Sequence, residues 1–64
     1  MKLWITRDFM GLWVYTTKPL FNSSKKEFES VDDNMLYIND DKLFPEVTFE
    51  NSPQMVELKL VKAE

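Results

Sequence analysis

Histidine and cysteine are both absent from this 64-residue chain, so any chemistry falls to carboxylates, lysines, tyrosines, serines and threonines. The commonest general base, the thiolate nucleophile and the usual transition-metal ligands are therefore missing. Two carboxylate pairs stand at chemically interesting spacing, Asp32-Asp33 and Asp40-Asp41. Brought together across a hairpin, they form an acid/base dyad or a hard-cation site. Their polar, turn-like context argues instead for four solvated carboxylates. The spacing also lacks the sixth-position glycine and closing glutamate of a calcium-binding EF-hand loop. A chain with one glycine cannot build a glycine-rich phosphate cradle. The expectation is a protein that is not an enzyme and uses no cofactor or metal.

Three surfaces remain for recognition. Trp4, Trp13, Tyr15 and Phe21 lie among Lys2, Arg7, Lys18, Lys25 and Lys26, the mixture with which sheets stack and hold single-stranded nucleic acid. A sequence pI near 4.8 opposes that use, and a small core needs the same rings. The second is acidic: Glu27, Glu29, Asp32, Asp33, Asp40, Asp41, Glu46 and Glu50 fall close together. Displayed as a row they imitate a phosphate backbone, although a net charge of −3 is modest for a mimic. The third is Phe9-Met10, two large apolar residues where a turn tip should project into water. Folded back they add to the core; left outside they are an anchor for a protein partner or a second copy.

Positioning these residues falls to a chain near the lower size limit for folding on a hydrophobic core alone. Its composition is dense in apolar groups, 44% hydrophobic and 14% aromatic. Charge divides unevenly: residues 1–26 carry five cations against Asp8, and residues 27–64 carry three lysines against ten carboxylates. The absence of cysteine fits a reducing compartment, and no run is apolar enough for a signal peptide or a bilayer span. A cytoplasmic location without membrane contact is the expectation.

Leu3–Thr6 and Leu12–Thr17 read as a β-hairpin around Asp8-Phe9-Met10-Gly11, which fits a type I turn with a G1 bulge at the chain's one glycine. That register sets Ile5 opposite Tyr15 and puts Leu3, Ile5, Trp13 and Tyr15 on one face. A four-residue loop shifts the pairing by one and groups Trp4 with Trp13 and Tyr15. Lys18-Pro19 ends the ladder, and Leu20–Ser24 reads as a connection. Residues 25–31 are ambiguous, since Ser24 and Glu27 form a capping box while Glu27-Phe28-Glu29 alternates. A second hairpin, 26–31 with 35–38, accounts for more residues. Lys42–Pro45 reads as a single helical turn burying Leu43 and Phe44, and Glu46–Glu50 as a half-buried strand. Met55–Lys62 alternates most cleanly, with Val56, Leu58 and Leu60 inward. The whole reads as one domain over residues 1–64, all-β with one short helical turn, a small antiparallel meander or partial barrel of about five strands.

The strings LWITRD-x-x-G-L-x-x-Y with a following KP, and LFPEVTFENSP-x-x-VELKL, resemble a group of small uncharacterised proteins of bacteriophages, prophages and gut Bacteroidales. The resemblance covers roughly the first twenty and last twenty-two residues and carries no activity and no site residue. It implies a phage or mobile-element setting. The expected role is a binding or accessory protein working through protein contacts, with homodimerisation through an edge strand as a further route. The alternatives are an acidic inhibitor of a host DNA- or RNA-binding protein, and single-strand binding through the aromatic sheet.

Overall fold

Asp8 makes the first turn. Its Oδ1 accepts the amides of Met10 (2.9 Å) and Gly11 (3.2 Å), so the chain reverses over Phe9 and Met10 alone. The computed structural model describes residues 1–60, and everything it describes is strand, turn or irregular chain, without helix. Strands β1 (Lys2–Asp8) and β2 (Gly11–Tyr15) form the hairpin. Asp8 pairs with Gly11, Ile5 with Val14 and Trp4 with Tyr15. This is one residue away from the bulged register and gives the grouping of Trp4, Trp13 and Tyr15 that the alternative loop required. The bulge is absent because Gly11, at φ 130°, enters the ladder opposite Asp8 and leaves no surplus residue.

Two more strands flank the hairpin. Strand β5 (Met35–Ile38) pairs antiparallel with β2, and β6 (Gln54–Glu57) pairs antiparallel with β1. The sheet runs in the order β5-β2-β1-β6 and stays open, with β5 and β6 as edges. A second, two-stranded sheet joins β3 (Leu20–Asn22) to β4 (Glu27–Glu29). Residues 25–31 thus contain a strand, but its partner is 20–22 and not 35–38. The reason is local: Asn22 Oδ1 accepts the amides of Ser24 (3.0 Å) and Lys25 (3.1 Å), and Lys26 adopts φ 54°, which turns the chain straight back. Strand β5 is then free to extend the main sheet.

Residues 46–50 form turns and irregular chain, although their alternation predicts a strand. Thr48 and Asn51 exchange hydrogen bonds, Thr48 N–H to Asn51 Oδ1 (2.8 Å) and Asn51 N–H to Thr48 Oγ1 (3.2 Å), and these local bonds displace a ladder. Residues 42–45 form no helix; Leu43 N–H reaches Asp40 O at 3.3 Å, and Leu43 and Phe44 remain exposed rather than buried. The last strand ends at Glu57. Val56 is half-buried, whereas Leu58 and Leu60 face solvent; positions 61 and 62 lie outside the described residues.

The core lies on one face of the main sheet, where Ile5 and Leu12 meet Val47, with Val14, Ile38 and Val56 around them. Arg7 shares this face and binds the overlying chain. Its Nε donates to Val47 O (2.6 Å), Nη1 to Asp41 O (3.0 Å), and Nη2 to Leu43 O (2.9 Å) and Phe44 O (3.3 Å). The opposite face buries Thr6 and Tyr15, whose hydroxyls meet at 3.4 Å.

Burial pushes the Tyr15 phenol above its ordinary value; the Thr6 hydrogen bond opposes this, and the Asp8 and Glu27 carboxylates add to it. The folded state therefore favours the neutral phenol. Its contribution is complete below the unfolded value near ~10 and is lost as pH rises through the raised folded value. Tyr15→Phe is accordingly expected to flatten the fall in unfolding free energy between about pH 9 and pH 12, measured by denaturant titration at each pH.

Candidate functional site

The hairpin tip is exposed and anchored at once. Phe9 is 91% and Met10 58% accessible, the former nearly as open as a free side chain. The backbone beneath them is held from both sides. Asp8 Oδ1 takes two amides of the turn, and Tyr37 Oη on β5 donates to Met10 O at 2.7 Å. The Tyr37 ring rests against Trp13 with centroids 4.9 Å apart at 60°, a cross-strand aromatic pair that fixes the phenol's reach. Gly11 lies directly under it: a Cβ there would stand 3.0 Å from Tyr37 Oη, on a backbone whose positive φ already excludes most side chains.

The carboxylate pairs separate. Asp40 and Asp41, at the exit of β5, line a concavity of about 380 Å³ with Phe9, Met10, Tyr37 and Arg7. Arg7 directs its guanidinium at backbone carbonyls, including that of Asp41, so the acidic pair beside the tip is not its partner. Asp32 and Asp33 stand at the entry of β5, with about 13 Å of strand between the two pairs. Asp32 is a structural anchor. Its oxygens accept Thr17 Oγ1 (2.7 Å), Asn34 N–H (3.0 Å), Ser30 Oγ (3.3 Å) and Thr16 Oγ1 (3.4 Å). The Thr17 hydroxyl above all, then the Asn34 amide, hold its carboxyl below the ordinary value. Asp33 occupies a left-handed turn position, φ 62°. Glu27 and Glu29 belong to β4, where Glu29 accepts Asn22 Nδ2 at 2.8 Å. The eight carboxylates are thus distributed over the second sheet, both ends of β5 and the turns after it. The fold brings Asp40 and Asp41 to Phe9 and Met10 and leaves Glu27, Glu29, Asp32 and Asp33 elsewhere.

The aromatic face is occupied in a similar way. Trp4, Trp13 and Tyr15 share one side of the sheet, but Tyr15 is buried, Trp13 sits against Tyr37, and Lys18 Nζ lies 5.4 Å over the Trp4 ring. Phe21 belongs to a different group: with Phe28 and Phe49 it forms a triangle of rings, centroids 5.2 to 5.9 Å apart. With Pro19 and Pro53 these rings line an apolar pocket of about 640 Å³, with Lys18 and Glu50 also in its wall. Sequence reasoning missed this pocket because Phe21 meets Phe28 only once β3 and β4 pair, and Phe49 reaches both rings from the turns at 46–50. Among the described residues no helix is long and apolar enough to cross a membrane.

Comparison with protein-family models, with curated proteins and with solved structures found no match to this chain.

Gly11→Ala is expected to cost about 2 kcal/mol, because it adds a Cβ to a strained backbone and displaces the Tyr37 hydroxyl. Tyr37→Phe, which removes one hydrogen bond to Met10 O, is expected to cost about 1 kcal/mol. Urea unfolding of the two variants checks the order; a Gly11→Ala variant as stable as the native chain contradicts it.

Proposed function

We propose that this chain is a small, non-enzymatic binding protein of phage or prophage origin, acting in the cytoplasm through protein contacts made by its hairpin tip. One observation carries the reading: Phe9 and Met10 project into water from a backbone that Asp8 and Tyr37 hold in place. An apolar pair on a mobile loop loses entropy when it binds. An anchored pair presents a prepared surface, as binding hot spots do. Asp40 and Asp41 beside it add charge, so the partner surface that fits is an apolar pocket with a basic rim. The phage setting rests on the resemblance of the LWITRD and LFPEVTFENSP strings. The lack of cysteine agrees with a reducing compartment. The acidic-mimic alternative draws less support, since its carboxylates are divided among several parts of the fold and Asp32 is committed to four hydrogen bonds.

The test uses a photo-crosslinking phenylalanine analogue at position 9 to capture a partner from host lysate, followed by titration with the purified partner. Phe9→Ser/Met10→Ser is expected to weaken binding by about 30-fold or more, the loss of a hot-spot side chain. Asp40→Asn/Asp41→Asn is expected to weaken it less and to lower its sensitivity to salt. Undiminished affinity of the tip variant would exclude the tip as the contact.

A further inference from the structure

Among the described residues the main sheet has two uncovered edges, and their charges treat a second copy of the chain in opposite ways. At β6, Leu58 N–H donates to Met1 O (2.6 Å) and the Met1 amino group donates to Leu58 O (3.1 Å), extending the ladder with β1. Antiparallel alternation then turns the backbone groups of Leu3 and Val56 toward each other and aims those of Met55 and Glu57 off the sheet; carried one residue past the Met1–Leu58 pair, it aims those of Lys59 the same way. Nothing within the described residues covers this edge: Met55, Glu57, Leu58, Lys59 and Leu60 are all exposed, Leu60 at 94%. At β5 the same alternation leaves Met35 and Tyr37 facing outward, between Asp32-Asp33 and Asp40-Asp41.

Two-fold pairing of β5 with itself brings like charges together. A register centred on Leu36 sets Asp32 against Asp40 of the second copy, and one centred on Tyr37 sets Asp33 against Asp41. Flanking charges of this kind protect edges from self-association. At β6 the outcome depends on register. Centring on Glu57 or on Lys59 opposes that residue to its own copy, and centring on Val56 faces Glu57 with Met55. Centring on Leu58 sets Glu57 against Lys59 twice, on residues whose backbone groups both point outward as a hydrogen-bonded pair requires. On the other face the same register lays Leu60 over Val56 and Leu58 over Leu58 of the second copy. The apolar concavity of about 250 Å³ that Leu3, Val14, Ile38, Phe44, Val56 and Leu58 line would then run on across the two-fold axis.

The geometry points to a two-fold homodimer joined edge to edge through β6, centred on Leu58 and held in register by two Glu57–Lys59 pairs. This yields one eight-stranded sheet with β5 at both ends. It does not depend on the hairpin tip, which belongs to the β1–β2 turn.

Sedimentation equilibrium tests it. At about 100 µM the native chain is expected at twice its 7.7 kDa mass. Lys59→Glu and Glu57→Lys, both on exposed side chains, are each expected to raise the dissociation constant about tenfold or more, and the double exchange to restore it within about threefold. Circular dichroism of each variant checks that the strands persist. The chain has no cysteine, so Leu58→Cys should form a disulfide dimer on mild oxidation while Leu36→Cys stays monomeric. Phe9→Ser/Met10→Ser should dimerise like the native chain, which separates this interface from the tip. A native chain that stays monomeric at about 1 mM, single exchanges without effect, a double exchange that fails to recover, or preferential crosslinking at position 36 overturns the proposal.

Discussion

The fold depends on one side chain, Arg7. Between β5 and β6 the chain runs through residues 39–53 without a strand, yet this stretch must cover the apolar face of the sheet. The Val47 carbonyl is partly buried beside the core and needs a hydrogen-bond partner, those of Asp41, Leu43 and Phe44 lie nearer the surface, and among the described residues no neighbouring strand supplies a donor to them. Arg7 does, donating to the carbonyls of Asp41, Leu43, Phe44 and Val47 from a single guanidinium. The planar fork of donors suits this task in a way that the ammonium of lysine cannot. With the connection held down, Val47 seats on Ile5 and Leu12 and completes the buried aliphatic core of the described residues.

The candidate sites inherit this arrangement. Arg7 precedes Asp8, the residue that closes the hairpin turn, so the clamp on the connection and the anchor of the tip are neighbours in the same strand. By fixing the Asp41 carbonyl, Arg7 also sets where Asp40 and Asp41 stand relative to Phe9 and Met10. Seating of the connection leads directly into β6, because Ser52, which accepts the Arg7 amide at 2.9 Å, comes just before Pro53 and the edge strand. The tip and the β6 edge thus both draw on one central strand.

Much of the architecture was legible from residue patterns. The hairpin followed from two β-rich runs around the one glycine, and the all-β class from alternation and turn chemistry. The register was not, because Asp8-Phe9-Met10-Gly11 fits both the bulged turn and the four-residue loop, and only the pairing of Asp8 with Gly11 in the folded ladder separates them. The partner of Glu27–Glu29 is not legible because the turn before it depends on Asn22 capping two amides and on Lys26 adopting a left-handed conformation, a geometry that lysine does not advertise. Residues 46–50 alternate like a strand, and Val47 does point inward, but the Thr48–Asn51 bonds turn the chain instead. Within the candidate site, Phe9 and Met10 were visible as misfits in a turn. Their neighbours Asp40 and Asp41 were visible only as charge, since their proximity to the tip needs β5 to pair with β2.

The central claim is most directly tested by amide hydrogen exchange in Arg7→Lys, read at the Val47 amide, which donates to Phe44 O at 2.9 Å inside the clamped segment. Loss of the fork should lower protection there by about 2 kcal/mol, roughly a 30-fold faster exchange. The β1–β2 amides should lose less, because the hairpin carries its own ladder. Unchanged protection of Val47 in a folded Arg7→Lys chain would show that the connection is held by apolar contact alone and that Arg7 is not its clamp.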